Sequence, residues 1–105
     1  MLNAVANDAE YVGRVKLALE HLHNCGAIHC ATVPVHEVFR GQTVWEGDVE
    51  VFDLVGHLKA KRAYGWSEKT KPGERFFAVL EIPPIKSALD AVRASIVADA
   101  KKKEK

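Results

Sequence analysis

Acidic residues occupy every second position in one segment of the chain, at Glu46, Asp48 and Glu50. Side chains two residues apart share one face of a β-strand, so these carboxylates are predicted to line a single face. The positions that alternate with them carry tryptophan, glycine or valine. Because burying an unpaired carboxylate is costly, the segment predicts a strand with a charged face toward water and an apolar face toward the core.

The residues that follow predict a partner strand for this segment. Tyr64 and Trp66 lie on one predicted face of this strand, and Lys59 and Lys61 lie on the other. Gly56 separates the two segments, and glycine takes positive φ in a tight turn without steric cost. We therefore expect a β-hairpin in which acids and lysines share the wet face.

Matching the two faces sets the expected register of this hairpin. With a two-residue turn at 55–56, Trp45 lies opposite Trp66. In the same register, Glu50 lies opposite Lys61, and such opposite charges stabilise a sheet by about 0.2–1 kcal/mol per pair. A slip of one residue would turn the acids toward the core. A loop longer by two residues would leave every side chain on its predicted face. The face of each residue is therefore predicted more firmly than the strand register.

Amphipathic helices are predicted at both ends of the chain. Residues 8–24 carry apolar side chains at three- and four-residue steps, with Asp8 as the N-terminal cap and Gly26 in the left-handed position after the last turn. Ser87 is the expected cap of the second helix. The basic residues 101–105 suit its C-terminal dipole and are expected to fray.

Two further strands complete the predicted sheet. Residues 28–39 form the first. Because proline cannot donate to the ladder, we expect this strand to lie at an edge or to break at Pro34. Residues 67–74 are polar and end in Pro-Gly, which predicts a loop. Residues 75–82 are apolar at nearly every position, so we expect this strand to be covered on both faces or to lie at an association surface.

The predicted fold class is α+β, with the order α-β-β-β-β-α in a single domain of 105 residues. Short connections favour an antiparallel meander. Since one sheet face is charged, we expect a two-layer sandwich with both helices on the other face.

Composition limits the classes of function. The formal net charge is +1, and no apolar run approaches the length that spans a bilayer, so no membrane role is predicted. The first residues lack the basic and apolar segments of a secretory signal, so we expect a cytoplasmic protein. Cys25 and Cys30 are then predicted to be thiols, and a disulfide between them is the alternative.

Histidines and cysteines cluster near the end of the first predicted helix. A metal-binding protein that uses His23, Cys25, His29 and Cys30 is one alternative function, because imidazole and thiolate are zinc and copper ligands. The spacing matches neither a C-x-x-C pair nor two histidines on one helical face. We therefore predict no bound metal or cofactor, and a helix terminus with a small thiol accounts for the cluster equally well.

A small enzyme is the second alternative. His36 and Glu37 next to Arg40 combine a general base, a carboxylate and an anion-binding group, and His57 lies at the hairpin tip. Strand alternation sends His36 and Glu37 to opposite faces, which disfavours a catalytic pair. The chain contains none of the common nucleotide-binding or hydrolase motifs.

Aromatic residues are more numerous in the predicted sheet than a thin core needs. Basic residues beside Tyr64 and Trp66 resemble a nucleic-acid surface, but the lysines lie on the opposite face beside acids, so nucleic acid is not the predicted partner. We expect a non-enzymatic binding or interaction module that forms a homodimer. A small-molecule pocket is a further option. Its predicted ligand-binding or interface residues are Trp45, Tyr64, Trp66, Phe77, His36 and Arg40.

Overall fold

Four antiparallel strands form one open sheet, with a helix before it and a helix after it in the chain. The computed structural model describes residues 3–103. The elements are α1 (Asn3–His23), β1 (Gly26–Phe39), β2 (Gln42–Val55), β3 (Arg62–Thr70), β4 (Gly73–Leu80) and α2 (Ala88–Lys103). The strands lie in chain order across the sheet. The predicted α+β class, element order and antiparallel meander are confirmed.

The two helices pack on opposite faces of the sheet. On one face, α1 buries Val15 and Leu19 against Phe52. On the other face, Val92 of α2 packs in the cluster that contains Val51. Val51 and Phe52 are neighbours in β2, and successive strand side chains alternate between faces. The predicted sandwich with both helices on one face is thus replaced by three layers: α1, sheet, α2.

Apolar residues on both faces of the inner part of the sheet explain this arrangement. In β4, Phe76 packs in the α1 cluster, whereas Phe77 packs in the α2 cluster. In β3, Ala63 belongs to the α1 side and Tyr64 to the α2 side. The expectation that the last strand is covered on both faces is confirmed, and each face needs its own helix to keep water out.

The longest hairpin joins β1 and β2. Its turn is formed by Arg40 (φ 54°) and Gly41 (φ 78°), and two successive positive φ values match the twist of a tight β-hairpin. Pairing runs from Gly26–Val55 to Phe39–Gln42. The strand order places β1 at an edge of the sheet, as its proline predicts.

The second hairpin, β2–β3, has the predicted parity but a different register. Glu50 faces Gly65 and Val51 faces Tyr64, a shift of four residues from the expected pairing. The connecting loop is therefore longer than a two-residue turn. The Nδ1 atom of His57 organises it by accepting hydrogen bonds from the backbone N–H groups of Lys59 (3.1 Å) and Ala60 (2.9 Å).

Several predicted boundaries change. α1 begins at Asn3, so Asp8 lies inside the helix, and Asn24 (φ 52°) takes the left-handed position that was assigned to Gly26. Most of the predicted loop at 67–74 belongs to β3 and β4, which meet in a turn at 71–72.

The end of the chain is closer to the prediction. Ser87 caps α2 through a 3.1 Å bond from the Asp90 N–H to its hydroxyl, as expected. The basic tail predicted to fray is helical as far as Lys103, and the last two residues lie outside the described residues.

The sheet opens between its two hairpins. β2 and β3 pair only where Glu50–Asp53 lies beside Arg62–Gly65. β2 begins eight residues earlier, at Gln42, and β3 continues to Thr70, so the two strands diverge beyond this short ladder. This divergence creates a cleft between the two strands.

Candidate ligand-binding cleft

A cleft of about 410 Å³ lies where β2 and β3 separate. It is lined by residues 45–48 of β2, residues 66–68 of β3 and Tyr11 of α1. Volumes of a few hundred Å³ are typical of small-ligand sites in proteins. The cleft is therefore large enough for a metabolite-sized molecule.

Two tryptophans lie side by side in the lining of this cleft, to which Tyr11 also belongs. The rings of Trp45 and Trp66 meet edge to face with centroids 5.7 Å apart. Trp66 also stacks on Phe77 at 5.2 Å, with the two rings nearly parallel. The prediction that both indoles lie on the same side of the sheet is confirmed. Such ring pairs stabilise a fold by about 0.5–1.5 kcal/mol beyond the effect of burying the rings. These contacts therefore hold both indoles in place.

The indole nitrogen of Trp66 is buried without a hydrogen-bond partner among the described residues. The side chain is only 1% exposed. A buried donor that loses its partner costs about 1–3 kcal/mol, so native proteins rarely leave one unsatisfied. The nitrogen is closed off by the surrounding core, so a molecule in the cleft does not contact it in this conformation.

Trp45 bridges the two diverging strands. Its Nε1 donates a 2.9 Å hydrogen bond to Oε2 of Glu68 on β3. The indole lies over Gly47, where a methyl group added at Cα would be 3.1 Å from the ring atom Cη2. Glycine at this position therefore leaves the ring room to reach across the cleft.

Carboxylates supply the charge of the cleft. Glu46, Asp48 and Glu68 line it, and none of the three forms a salt bridge within residues 3–103. Four acids elsewhere are matched to arginines, for example Glu37 with Arg93 at 2.8 Å. No basic side chain belongs to the described lining, so the cleft is negative although the chain as a whole is nearly neutral.

A hydrogen-bonded chain fixes the rim on the α1 side. The hydroxyl of Tyr11 accepts a 2.8 Å bond from the Ser67 N–H, and the Ser67 hydroxyl donates to Glu74 at 2.5 Å. Arg14 pairs with Glu74 at 3.1 Å. The Ser67 hydroxyl and the Arg14 guanidinium lower the pKa of Glu74. Burial raises the pKa of Tyr11, so its hydroxyl is protonated at neutral pH and is available as a donor.

A buried carboxylate lies on the same face as this rim. Glu50 is 2% exposed; its Oε1 accepts a 2.5 Å bond from the Thr32 hydroxyl and lies 2.9 Å from Nε2 of His29. The predicted water-facing Glu50 paired with Lys61 is wrong, because the register shift moves Lys61 into the loop and α1 covers part of this face. Sequence reasoning assigned His29 to a metal cluster and missed this triad; the period of two gave no sign that the third acid is buried.

The structure places only some of the predicted aromatic residues in the cleft. Trp45 and Trp66 line the cleft, whereas Tyr64 is buried in the core under α2. Tyr64 donates its hydroxyl hydrogen to Glu81. Burial, together with this acceptor, raises the pKa of Tyr64 to about 12. Phe77 stacks on the Trp66 ring and does not line the cleft.

The predicted catalytic residues do not come together. His36 bonds to Thr43 at 2.6 Å, while Glu37 lies on the α2 side and binds Arg93. The guanidinium of Arg40 lies 5.1 Å above the Phe39 ring at the hairpin turn. The remaining candidate, the histidine at the β2–β3 hairpin tip, organises its own loop.

The metal-ligand candidates are also separated by their partners. The Nε2 atom of His23 lies 3.0 Å from the carbonyl oxygen of Ala78, and His29 is held by the buried glutamate described above. Within residues 3–103, no group of three or more histidine, cysteine or acidic side chains is arranged to hold a metal ion. Cys25 and Cys30 are free thiols.

A second surface feature lies between the β1–β2 hairpin and α2. Phe39, Val44, Ile96 and Val97 form an almost entirely apolar groove, which we call the α2 groove. Phe39 is 61% exposed and Val97 is 52% exposed. Contiguous apolar surface of this kind is typical of protein contacts.

Comparisons of the chain with protein-family models, with curated proteins and with solved structures find no match. None of the helices in the described part of the chain is long and apolar enough to cross a membrane. The chemistry of the cleft and of the groove is therefore the basis for assigning a function.

Proposed function

We propose that the protein is a non-enzymatic binding module and that a small ligand occupies the cleft between β2 and β3. The observation that carries this proposal is a cleft of about 410 Å³ that is lined by Tyr11, Trp45 and Trp66 together with three carboxylates that form no salt bridge among the described residues. Binding is favoured over catalysis because the residues predicted for catalysis, His36, Glu37 and Arg40, do not come together.

The two tryptophans make this proposal directly testable, since they are the only tryptophans in the chain. A library of small metabolites is screened by tryptophan fluorescence and by the two indole N–H resonances in a nitrogen–proton correlation spectrum. We expect a ligand to shift both resonances and to raise the thermal midpoint. If no compound moves either indole resonance, the proposal is wrong.

A variant that fills the cleft supplies the matched control. Gly47→Leu places a side chain against the Trp45 ring, whereas Gly13→Leu adds the same group on α1, where nothing lies within 4 Å. We expect Gly47→Leu to abolish ligand-induced shifts and Gly13→Leu to retain them. Circular dichroism confirms that both variants are folded.

Self-association through the α2 groove is the second candidate function. The exposed Phe39 and Val97 support a homodimer, because burying such residues removes apolar area from water. Light scattering after size exclusion, at two concentrations, measures the mass. We expect Val97→Glu to produce a monomer, while Leu17→Glu, at a similarly exposed position on α1, leaves the dimer intact. A wild-type monomer at both concentrations contradicts this candidate.

We also propose a cytoplasmic location. Free Cys25 and Cys30 support it, because thiols persist in reducing compartments. Alkylation of cells with a thiol reagent before lysis tests this: both cysteines should be labelled without prior reduction.

A further inference from the structure

We infer that two copies of this chain associate by antiparallel packing of α2 against α2, with Asp90 of each copy opposite Lys101 of the other. This inference rests on the second candidate function proposed above, because it names the geometry of the same self-association. Three features of α2 contribute: the spacing of its outward residues, the groove along them and the charges at their two ends.

The outward side of α2 has the residue spacing of a helix-packing seam. Val92 is buried in the cluster between α2 and the sheet, so residues on the far side of the helix point away from the sheet. These outward residues recur at steps of four, three and four, and we call them the outer face of α2: Asp90, Ala94, Val97 and Lys101. Alternating steps of three and four bring the residues of two helices into contact in a coiled coil.

A groove of about 490 Å³ runs along this outer face. Its lining contains the whole outer face together with Pro84, Ile85, Arg93 and Ala98. Val97 belongs both to this groove and to the α2 groove, so apolar surface continues on either side of it. The alanines allow a second helix to approach closely, since the distance between packed helix axes depends on the side chains at the contact.

The charges at the two ends of the outer face determine the direction of the pairing. Asp90 and Lys101 lie about 16 Å apart along the helix axis. Neither forms a salt bridge within residues 3–103, and the Asp90 carboxylate accepts a 3.1 Å bond from the backbone N–H of Lys86. Arg93, the third charged residue of the groove, is already paired with Glu37. Antiparallel helices place opposite charges together at both ends, whereas parallel helices would place like charges together.

The same register also matches the apolar residues of the outer face. When the two-fold axis lies midway between Asp90 and Lys101, Val97 of each copy lies opposite Ala94 of the other. A larger side chain therefore meets a smaller one twice, as close helix packing requires. Because the same patch is used by both copies, the contact closes into a dimer and does not extend into a filament. A second copy supplies this complementarity by symmetry.

Charge reversal at the two ends tests this geometry. Asp90→Lys sets lysine against lysine in its homodimer, and Lys101→Asp sets aspartate against aspartate. In a mixed dimer of the two variants, both pairs are again of opposite charge. We expect each variant alone to dimerise about tenfold more weakly than wild type, and the mixture to recover the wild-type affinity as a heterodimer. Sedimentation equilibrium measures the affinities, and native mass spectrometry with one variant labelled with nitrogen-15 identifies the heterodimer.

A lysine elsewhere in the chain supplies the matched control. Lys59→Asp makes the same substitution at an exposed position in the loop between β2 and β3. It should dimerise like wild type, and mixing it with Asp90→Lys should not restore the wild-type affinity. Circular dichroism checks the fold of every variant. If Asp90→Lys does not fold, the comparison of Lys101→Asp with Lys59→Asp decides, since Lys101 is exposed near the end of α2.

The outcomes separate this inference from the candidate function on which it rests. A wild-type dimer that neither charge reversal weakens overturns the antiparallel pairing and leaves self-association in place. Single variants that weaken the dimer without recovery in the mixture also overturn it, because the two charges then do not meet. A wild-type monomer at every concentration contradicts both the inference and the candidate function.

Discussion

Trp45 donates an indole hydrogen bond to Glu68 across the gap in which β2 and β3 no longer pair, with 2.9 Å between the two heavy atoms. It joins the two hairpins at the mouth of the cleft, beyond the last rung of the β2–β3 ladder at Glu50–Gly65. A side-chain hydrogen bond thus links the two strands where their backbone pairing has ended.

The strength of this bond is measurable by a double-mutant cycle. Trp45→Phe keeps an aromatic ring against Trp66 but removes the donor, and Glu68→Ala removes the acceptor. We expect a coupling free energy of about 1 kcal/mol from urea unfolding of the two single variants and the double variant. A coupling near zero would mean that water satisfies both groups equally well and that the bond does not hold the hairpins together.

Close packing of α1 on β3 gives the second prediction. A methyl group on Gly65 would stand 2.7 Å from Cγ1 of Val15, so the helix approaches the strand at a position that only glycine fits. Gly65→Ala should reduce the free energy of unfolding by about 1–3 kcal/mol through overpacking. Val15→Ala in the same chain should recover part of that loss, because it removes the obstructing methyl groups.

A matched glycine supplies the control for this prediction. Gly13 lies inside α1 with nothing within 4 Å of an added methyl group. Gly13→Ala should raise stability by up to about 1 kcal/mol, since alanine favours the helix. Equal effects of the two alanines would contradict the close approach at Gly65.

The facing of β2 was predictable from its residues, whereas its register was not. Acids at every second position fix which side chains turn to which side, and Trp45 and Trp66 do share a face. Register depends on loop length, and that length depends on His57 accepting two backbone hydrogen bonds. Nothing in the pattern of residues distinguishes this capped loop from a tight turn at Gly56.

That the two helices cover opposite faces of the sheet was not predictable from the sequence either. Phe76 and Phe77 show that β4 is apolar on both faces, but the sequence does not state which helix covers which face. The cleft was predictable only in part: its tryptophans were identified as ligand-binding candidates, while Tyr11 and Glu68 enter it because β2 and β3 diverge. Divergence of strands leaves no periodic signal.

The buried Glu50 gives a third prediction. Its Oε1 lies within hydrogen-bond distance of His29 and Thr32, so removing one partner leaves a nearly buried carboxylate short of a hydrogen bond. His29→Ala should reduce the free energy of unfolding by about 1–3 kcal/mol. His36→Ala, on the same strand but exposed, should cost less than about 0.5 kcal/mol. Similar losses in both variants would show that the contact with Glu50 contributes no more to stability than the exposed His36 does.

The phenol of Tyr64 gives the last prediction, a dependence of stability on alkaline pH. Burial and its bond to Glu81 raise its pKa from 10.0 to about 12, so the folded protein retains this proton where the unfolded chain loses it. The resulting stabilisation is complete below pH 10 and is lost as the pH rises toward 12. Urea unfolding at several alkaline pH values should show a shallower loss for Tyr64→Phe than for wild type. Tyr11→Phe separates the contribution of the half-buried phenol of Tyr11, whose pKa is also raised. An unchanged slope in Tyr64→Phe would contradict the raised pKa of Tyr64.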